Sequence, residues 1–108
     1  VILNDTQQAT FLVDTGAAAC AITPELAEAV GIVSDPGVPP VLVRGVTGST
    51  WGRRVTIPAI RVGETEAHDV VAFVLPLSGM QGILGNTFLS RYLATLDPAQ
   101  GLLTLQPR

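Results

Sequence analysis

The chain has 108 residues, which sets the expectation of a single domain, 1–108, with a modest core. Hydrophobic residues make up 47% and charged residues 14%, an apolar balance that suits a subunit burying one face on a partner. The net charge is −3 and the six cations besides the single His are scattered arginines, which argues against a nucleic-acid partner.

Val1-Ile2-Leu3 and Thr10-Phe11-Leu12-Val13 read as strands joined through a polar hairpin loop, Asn4-Asp5-Thr6-Gln7-Gln8. Ala21-Ile22 is a further short strand. Thr23-Pro24-Glu25 carries a helix start, with Thr as N-cap, Pro at the first helical position and an acid in the first turn; Leu26 to Val30 continue it and Gly31 ends it. Ser34 to Pro40 is a loop, and Val41-Leu42-Val43 restarts a strand. Gly45, Gly48 and Gly52 punctuate the next stretch, whose centre, Val46-Thr47-Gly48-Ser49-Thr50, reads as a hairpin tip.

From Val55 to Val62 the apolar positions alternate but change phase at Pro58, the mark of a bulge or an edge. Val70 to Leu75 is continuously apolar, as for a strand covered on both faces. Ile83-Leu84 is another short buried segment. Phe88 to Leu93 is expected as a short helix capped by Asn86. Asp97 to Gly101 is a turn, and Leu102 to Leu105 a terminal strand. Short strands, turns about every ten residues and few helices describe a small all-β barrel or sandwich.

The single cysteine, Cys20, leaves no internal disulfide and no Cys-based metal site. It reads as a small buried hydrophobe, because one His offers no evident partner for a nucleophilic thiol. No apolar run approaches the roughly 18 residues of a membrane span, so no membrane contact is expected from this segment. The chain opens on Val1 inside an apparent strand, which is expected of a trimmed or processed chain. The expected setting, a bacterial periplasmic or membrane-anchored context, lies outside the segment.

Chemistry concentrates at Asp14-Thr15-Gly16. The apolar run Phe11-Leu12-Val13 delivers a carboxylate into a tight turn, where Thr15 can donate a hydrogen bond and Gly16 lets backbone approach closely. A carboxylate presented in this way suits acid–base work. Amide hydrolysis by carboxylates alone needs two such groups.

Two segments together resemble the retropepsin-like, single-lobe aspartic proteases, and the cellular and bacterial members more than the retroviral ones. Phe11-Leu12-Val13-Asp14-Thr15-Gly16-Ala17 resembles their catalytic loop. Ile83-Leu84-Gly85-Asn86 resembles their second signature, 67 positions after Gly16, and the Gly-rich hairpin lies between the two. The resemblance implies a small closed retropepsin-like β-barrel with one or two short helices and a flap over roughly Arg44 to Gly52. It implies peptide-bond hydrolysis by an aspartate pair, with no metal or organic cofactor and a protein or peptide as substrate.

The same resemblance assigns roles. Asp14 is the catalytic carboxylate, Thr15 spans the dyad, and Gly16, Ala17 and Ala18 face an extended substrate. Val46, Thr47, Gly48 and Ser49 belong to the flap, and Ile83, Leu84 and Gly85 support the loop. The remaining aspartates, Asp5, Asp35, Asp69 and Asp97, lie in turns or beside His68, and none precedes Thr-Gly. The second carboxylate is therefore expected from Asp14 of a second copy, in a homodimer.

Where retroviral relatives place acids after the catalytic loop and an Arg after the second Gly, this chain has Ala18, Ala19 and Asn86, so subsites preferring apolar side chains are expected. Val1-Ile2-Leu3 and Leu102 to Leu105 occupy the places of the terminal strands that build the dimer sheet of retroviral members.

Other readings stay open. A second, non-identical lobe of a tandem or membrane-anchored protein can supply the partner carboxylate, or the fold can serve as a non-catalytic peptide-binding module. Trp51 either packs on the flank of the hairpin or lines a subsite. His68 reads as a strand-surface residue, Arg53-Arg54 as a solvated strand end, and Asn86 as a plain helix cap.

Overall fold

The structure is a computed structural model that describes residues 1–45 and 48–108. Ten strands and two short helices follow in the order β1 (Ile2–Leu3), β2 (Gln7–Gln8), β3 (Phe11–Val13), β4 (Cys20–Ile22), α1 (Pro24–Val30), β5 (Val41–Gly45), β6 (Gly48–Val62), β7 (Thr65–Val74), β8 (Gly82–Leu84), α2 (Asn86–Leu89), β9 (Tyr92–Asp97) and β10 (Leu102–Pro107). The expected all-β class holds. Seven strands run side by side as β2-β1-β6-β7-β4-β8-β3, β5 pairs with β6, and the sheet curls into a half-barrel; β9 and β10 form a hairpin of their own.

Local chemistry builds the first helix as the sequence implies. The Thr23 side chain accepts from the Leu26 amide, Pro24 opens the helix, and Gly31 closes it in a left-handed conformation with φ 73°. In the first hairpin, Asn4 and Asp5 take positive φ values of 51° and 64°, a conformation that Asn and Asp tolerate better than other side chains. The turn is tight enough for Gln7 and Gln8 to pair with Leu3 and Ile2 as a strand, where the polar composition suggests a loop.

The phase change in the long strand is real and has a visible cause. Val55, Ile57 and Ala59 are buried in alternation, and then Ile60 is buried as well. Pro58, which has no N–H to give the ladder, stands between the pairs Ile57↔Val70 and Ala59↔His68. Opposite it Asp69 takes φ 54°. Beyond this point β6 gains a second neighbour, with Ile60 paired to Leu3 and Arg61 to Ile2, so both of its faces approach the core. β7 is less covered than its apolar run suggests: Val70 and Ala72 are fully buried, whereas Val71 and Phe73 are half-buried.

The segment after the second signature departs from expectation. α2 is a single turn ending at Leu89, with Ser90 as C-cap, and Leu93 belongs to β9. Tyr92 and Ala94 turn to the core while Leu93 and Thr95 face outward, which is strand alternation rather than helical spacing. Phe88 is fully buried and its ring stands 5.1 Å from that of Tyr92. Of the two terminal segments, β1 sits inside the main sheet between β2 and β6, and β10 pairs with β9.

Candidate active site

The site is made by two parallel pairings. β3 lies parallel to β8 with Val13 opposite Leu84, and β4 lies parallel to β7 and antiparallel to β8. The irregular loop between β3 and β4, residues 14–19, therefore closes over the end of β8. Asp14 leaves the strand with its amide donating to the Leu84 carbonyl at 3.0 Å.

The carboxylate is half-buried and held from its own loop. The Gly16 amide donates to Asp14 Oδ1 at 2.9 Å, and the Ala17 amide donates to the Asp14 carbonyl at 3.2 Å. Residues 15–24 and 82–90 contain no charged side chain, so the two segments that frame Asp14 offer it backbone dipoles and no counter-ion. Neither of the two ion pairs of the described residues, Arg54–Asp35 and His68–Glu66, involves it.

Gly85 is where the second signature meets the loop. It is buried, and a Cβ there would fall inside van der Waals contact of the Ala19 carbonyl and at 3.0 Å from the Ala17 oxygen. No side chain fits without moving the loop of residues 14–19. Cys20 clasps the same residue from the other side: the Gly85 amide donates to Cys20 Sγ at 3.4 Å, and the thiol stands 3.8 Å from the Gly85 carbonyl. The Cys20 amide donates to Thr87 Oγ1 at 2.9 Å. Cys20 is thus buried as expected, but it also carries polar contacts that its residue type did not announce.

Asn86 is not a cap. Gly85 is the N-cap of α2 without any side-chain cap bond, and Asn86 is the first helical residue. Its amide donates to the Ala17 carbonyl at 2.9 Å, and its carboxamide Nδ2 donates to the Thr15 carbonyl at 2.9 Å. Since a carbonyl only accepts, the NH2 end must face it. Sequence reasoning missed this role, because only the β3–β8 pairing brings position 86 to the loop.

The other expected site residues fall as follows. Thr15, Gly16 and Ala18 are exposed and Ala17 is half-buried. Ala17 has both its N–H and its carbonyl engaged within the loop region, whereas among the described residues the Gly16 carbonyl and the Ala18 amide have no partner in the chain. Leu84 is fully buried and Ile83 half-buried. Gly48 and Ser49 stand on the separate β5–β6 hairpin, opposite Gly45 and Arg44. Val46 and Thr47 lie outside the described residues. Trp51, 66% exposed, pairs across that hairpin with Leu42.

Two of the four remaining aspartates have local work. Asp35 accepts from Arg54 Nε at 3.0 Å and from the Thr56 hydroxyl. Asp97 Oδ1 accepts from the Ala99 and Gln100 amides in its turn. Asp5 and Asp69 occupy positive-φ positions. Among the described residues, no group of three or more His, Cys, Asp or Glu side chains gathers where it could hold a metal ion.

Comparison with known proteins agrees with this geometry. Residues 1–91 match the family described as "gag-polyprotein putative aspartyl protease". The fold is similar to the crystal structure of a retropepsin-like aspartic protease from Rickettsia conorii, with a TM-score of 0.71 at 24% sequence identity over 95% of this chain and 76% of that one. A search of curated proteins finds no match. The Asp14 loop seated on Ile83-Leu84-Gly85, in a curled sheet of this topology and with this family match, makes the chain a member of the retropepsin-like aspartic protease family.

Proposed function

We propose that the protein is an aspartic endopeptidase whose active unit is a homodimer with one Asp14 from each copy. The observation that carries the reading is the presentation of Asp14, with one carboxylate oxygen tied to the Gly16 amide and no ion pair to it among the described residues. A lone carboxylate can take a proton from water but cannot also donate one to the scissile carbonyl. Two carboxylates a few ångströms apart share a proton, because like charges that close do not both ionise. The ionised partner then takes a proton from water as the oxygen attacks the carbonyl carbon, and the protonated partner supplies its proton to the carbonyl oxygen. Collapse of the tetrahedral intermediate transfers a proton to the leaving amine.

The second carboxylate is assigned to another copy because no other aspartate of the chain precedes Thr-Gly: Asp35 is bonded to Arg54, Asp97 to amides of its own turn, Asp5 lies in the β1–β2 turn and Asp69 within β7. The exposed Thr15, whose hydroxyl has no partner among the described residues, is suited to bond across the two-fold axis. The unengaged Gly16 carbonyl and Ala18 amide are suited to the main chain of an extended peptide. The hairpin that includes Gly48 and Ser49 is assigned to cover that peptide and exclude water.

The test is cleavage of an unfolded protein, or of a peptide library, by wild type and by Asp14→Asn. The expected result is cleavage by the first and none by the second; retained cleavage by the variant overturns the mechanism.

A further inference from the structure

We propose that Asn86 is a positioning residue for Asp14, acting through the Thr15–Gly16 peptide; the proposal rests on the protease reading above. The Thr15 carbonyl and the Gly16 N–H belong to one planar trans peptide unit, so they point in opposite directions. On one side Asn86 Nδ2 donates to the Thr15 carbonyl at 2.9 Å. On the other, the Gly16 N–H donates to Asp14 Oδ1 at 2.9 Å. The carboxamide, the peptide and the carboxylate form one continuous hydrogen-bonded line, in which a bond at the carbonyl strengthens the N–H as a donor.

The loop needs such a brace. Residues 14–19 form no helix or strand, and Gly16, Ala17, Ala18 and Ala19 have no polar side chain to organise them. Backbone rotation at Thr15 and Gly16 would swing the N–H away from the carboxylate unless something outside the loop held the peptide plane. Among the described residues, Asn86 is the one side chain from another element that bonds within Asp14–Gly16. Asn86 is itself anchored, because its amide donates to the Ala17 carbonyl and its carbonyl accepts from the Ser90 amide at 3.1 Å and from the Ser90 hydroxyl. The donor therefore comes from a fixed helical turn, and it is neutral, so it orients the peptide without placing a charge beside the dyad.

Asn86→Ala and Asn86→Asp test this, with Ser90→Ala as the control that disturbs the same turn but leaves the carboxamide in place. Kinetics use the best-cleaved member of a fluorogenic peptide library. Removing one hydrogen bond in Asn86→Ala is expected to lower kcat about tenfold while KM stays within about twofold. Asn86→Asp lacks the donor when ionised and regains an O–H when protonated, so its activity relative to wild type is expected to rise as the pH is lowered. The charged groups near this turn are few: Asp14 lies across the peptide. On β7, His68 pairs with Glu66, and Arg91 is engaged by the carbonyls of His68 and Asp69.

Wild-type kcat in a folded Asn86→Ala protein overturns the assignment, and so does an Asn86→Asp variant with no pH-dependent recovery. Equal losses in Ser90→Ala and Asn86→Ala also overturn it, since they indicate a general loosening of α2. A wild-type protein that cleaves nothing overturns the protease reading and this assignment with it. A cleaving wild type beside an unimpaired Asn86→Ala overturns the assignment alone.

Discussion

Asp14 donates its amide to the carbonyl of Leu84 at 3.0 Å, across 70 positions of sequence. That single bond continues the parallel β3–β8 ladder by one step and puts the end of one signature on the end of the other. Gly85 and Asn86 then reach the loop because they are the next two residues along the chain.

If each active unit contains two copies of Asp14, the inactive Asp14→Asn chain acts on the wild type by exchange. Mixing equal amounts and allowing subunits to re-equilibrate is expected to lower wild-type activity to roughly half, and a fourfold excess of the variant to roughly one fifth, because only dimers with two wild-type chains work. Activity unchanged by the variant points instead to a partner lobe of a different kind.

Gly85→Ala forces a Cβ against the Ala19 carbonyl. Backbone must move to admit it, so the variant is expected to lose about 1–3 kcal/mol of stability, the range for overpacking a tight site. Urea unfolding measures the loss. Cleavage is expected to fall further than stability alone explains, because the displaced residues belong to the loop that carries Asp14.

Cys20 is fully buried and contacts Gly85 through its sulfur. A buried thiol of this kind is inert until the fold opens. Labelling with a thiol-reactive dye is expected to be negligible in buffer and complete in denaturant, with a rate that tracks unfolding. Fast labelling of the folded protein contradicts the burial of this residue.

Asp35→Ala removes the partner of Arg54 and Thr56. Arg54 is 43% exposed at its side chain, so solvent screens the pair and the expected loss is below about 1 kcal/mol. Peptide cleavage is expected to persist. A thermal melt and one kinetic assay check both halves of this.

Short-range chemistry is legible in the residues themselves. The cap at Thr23 with Pro24, and the stop at Gly31, depend only on neighbours a few positions away. The interruption at Pro58 is legible for the same reason, since a missing N–H disturbs any ladder it joins. The helix expected through Leu93 fails because a stretch this short, with apolar pairs on either side of Ser90-Arg91, suits either period, and burial beside Phe88 decides for a strand at Tyr92.

By itself, the sequence determined which groups are available: one aspartate followed by Thr-Gly, no charged residue in the ten positions after it, and a second Gly-ended apolar segment. The tertiary structure alone decided what those groups touch. Parallel strands need long connections, so no local pattern records that β3 meets β8. That pairing turns Asn86 from an apparent helix cap into a donor to the Thr15 peptide, and makes Cys20 a clasp on Gly85.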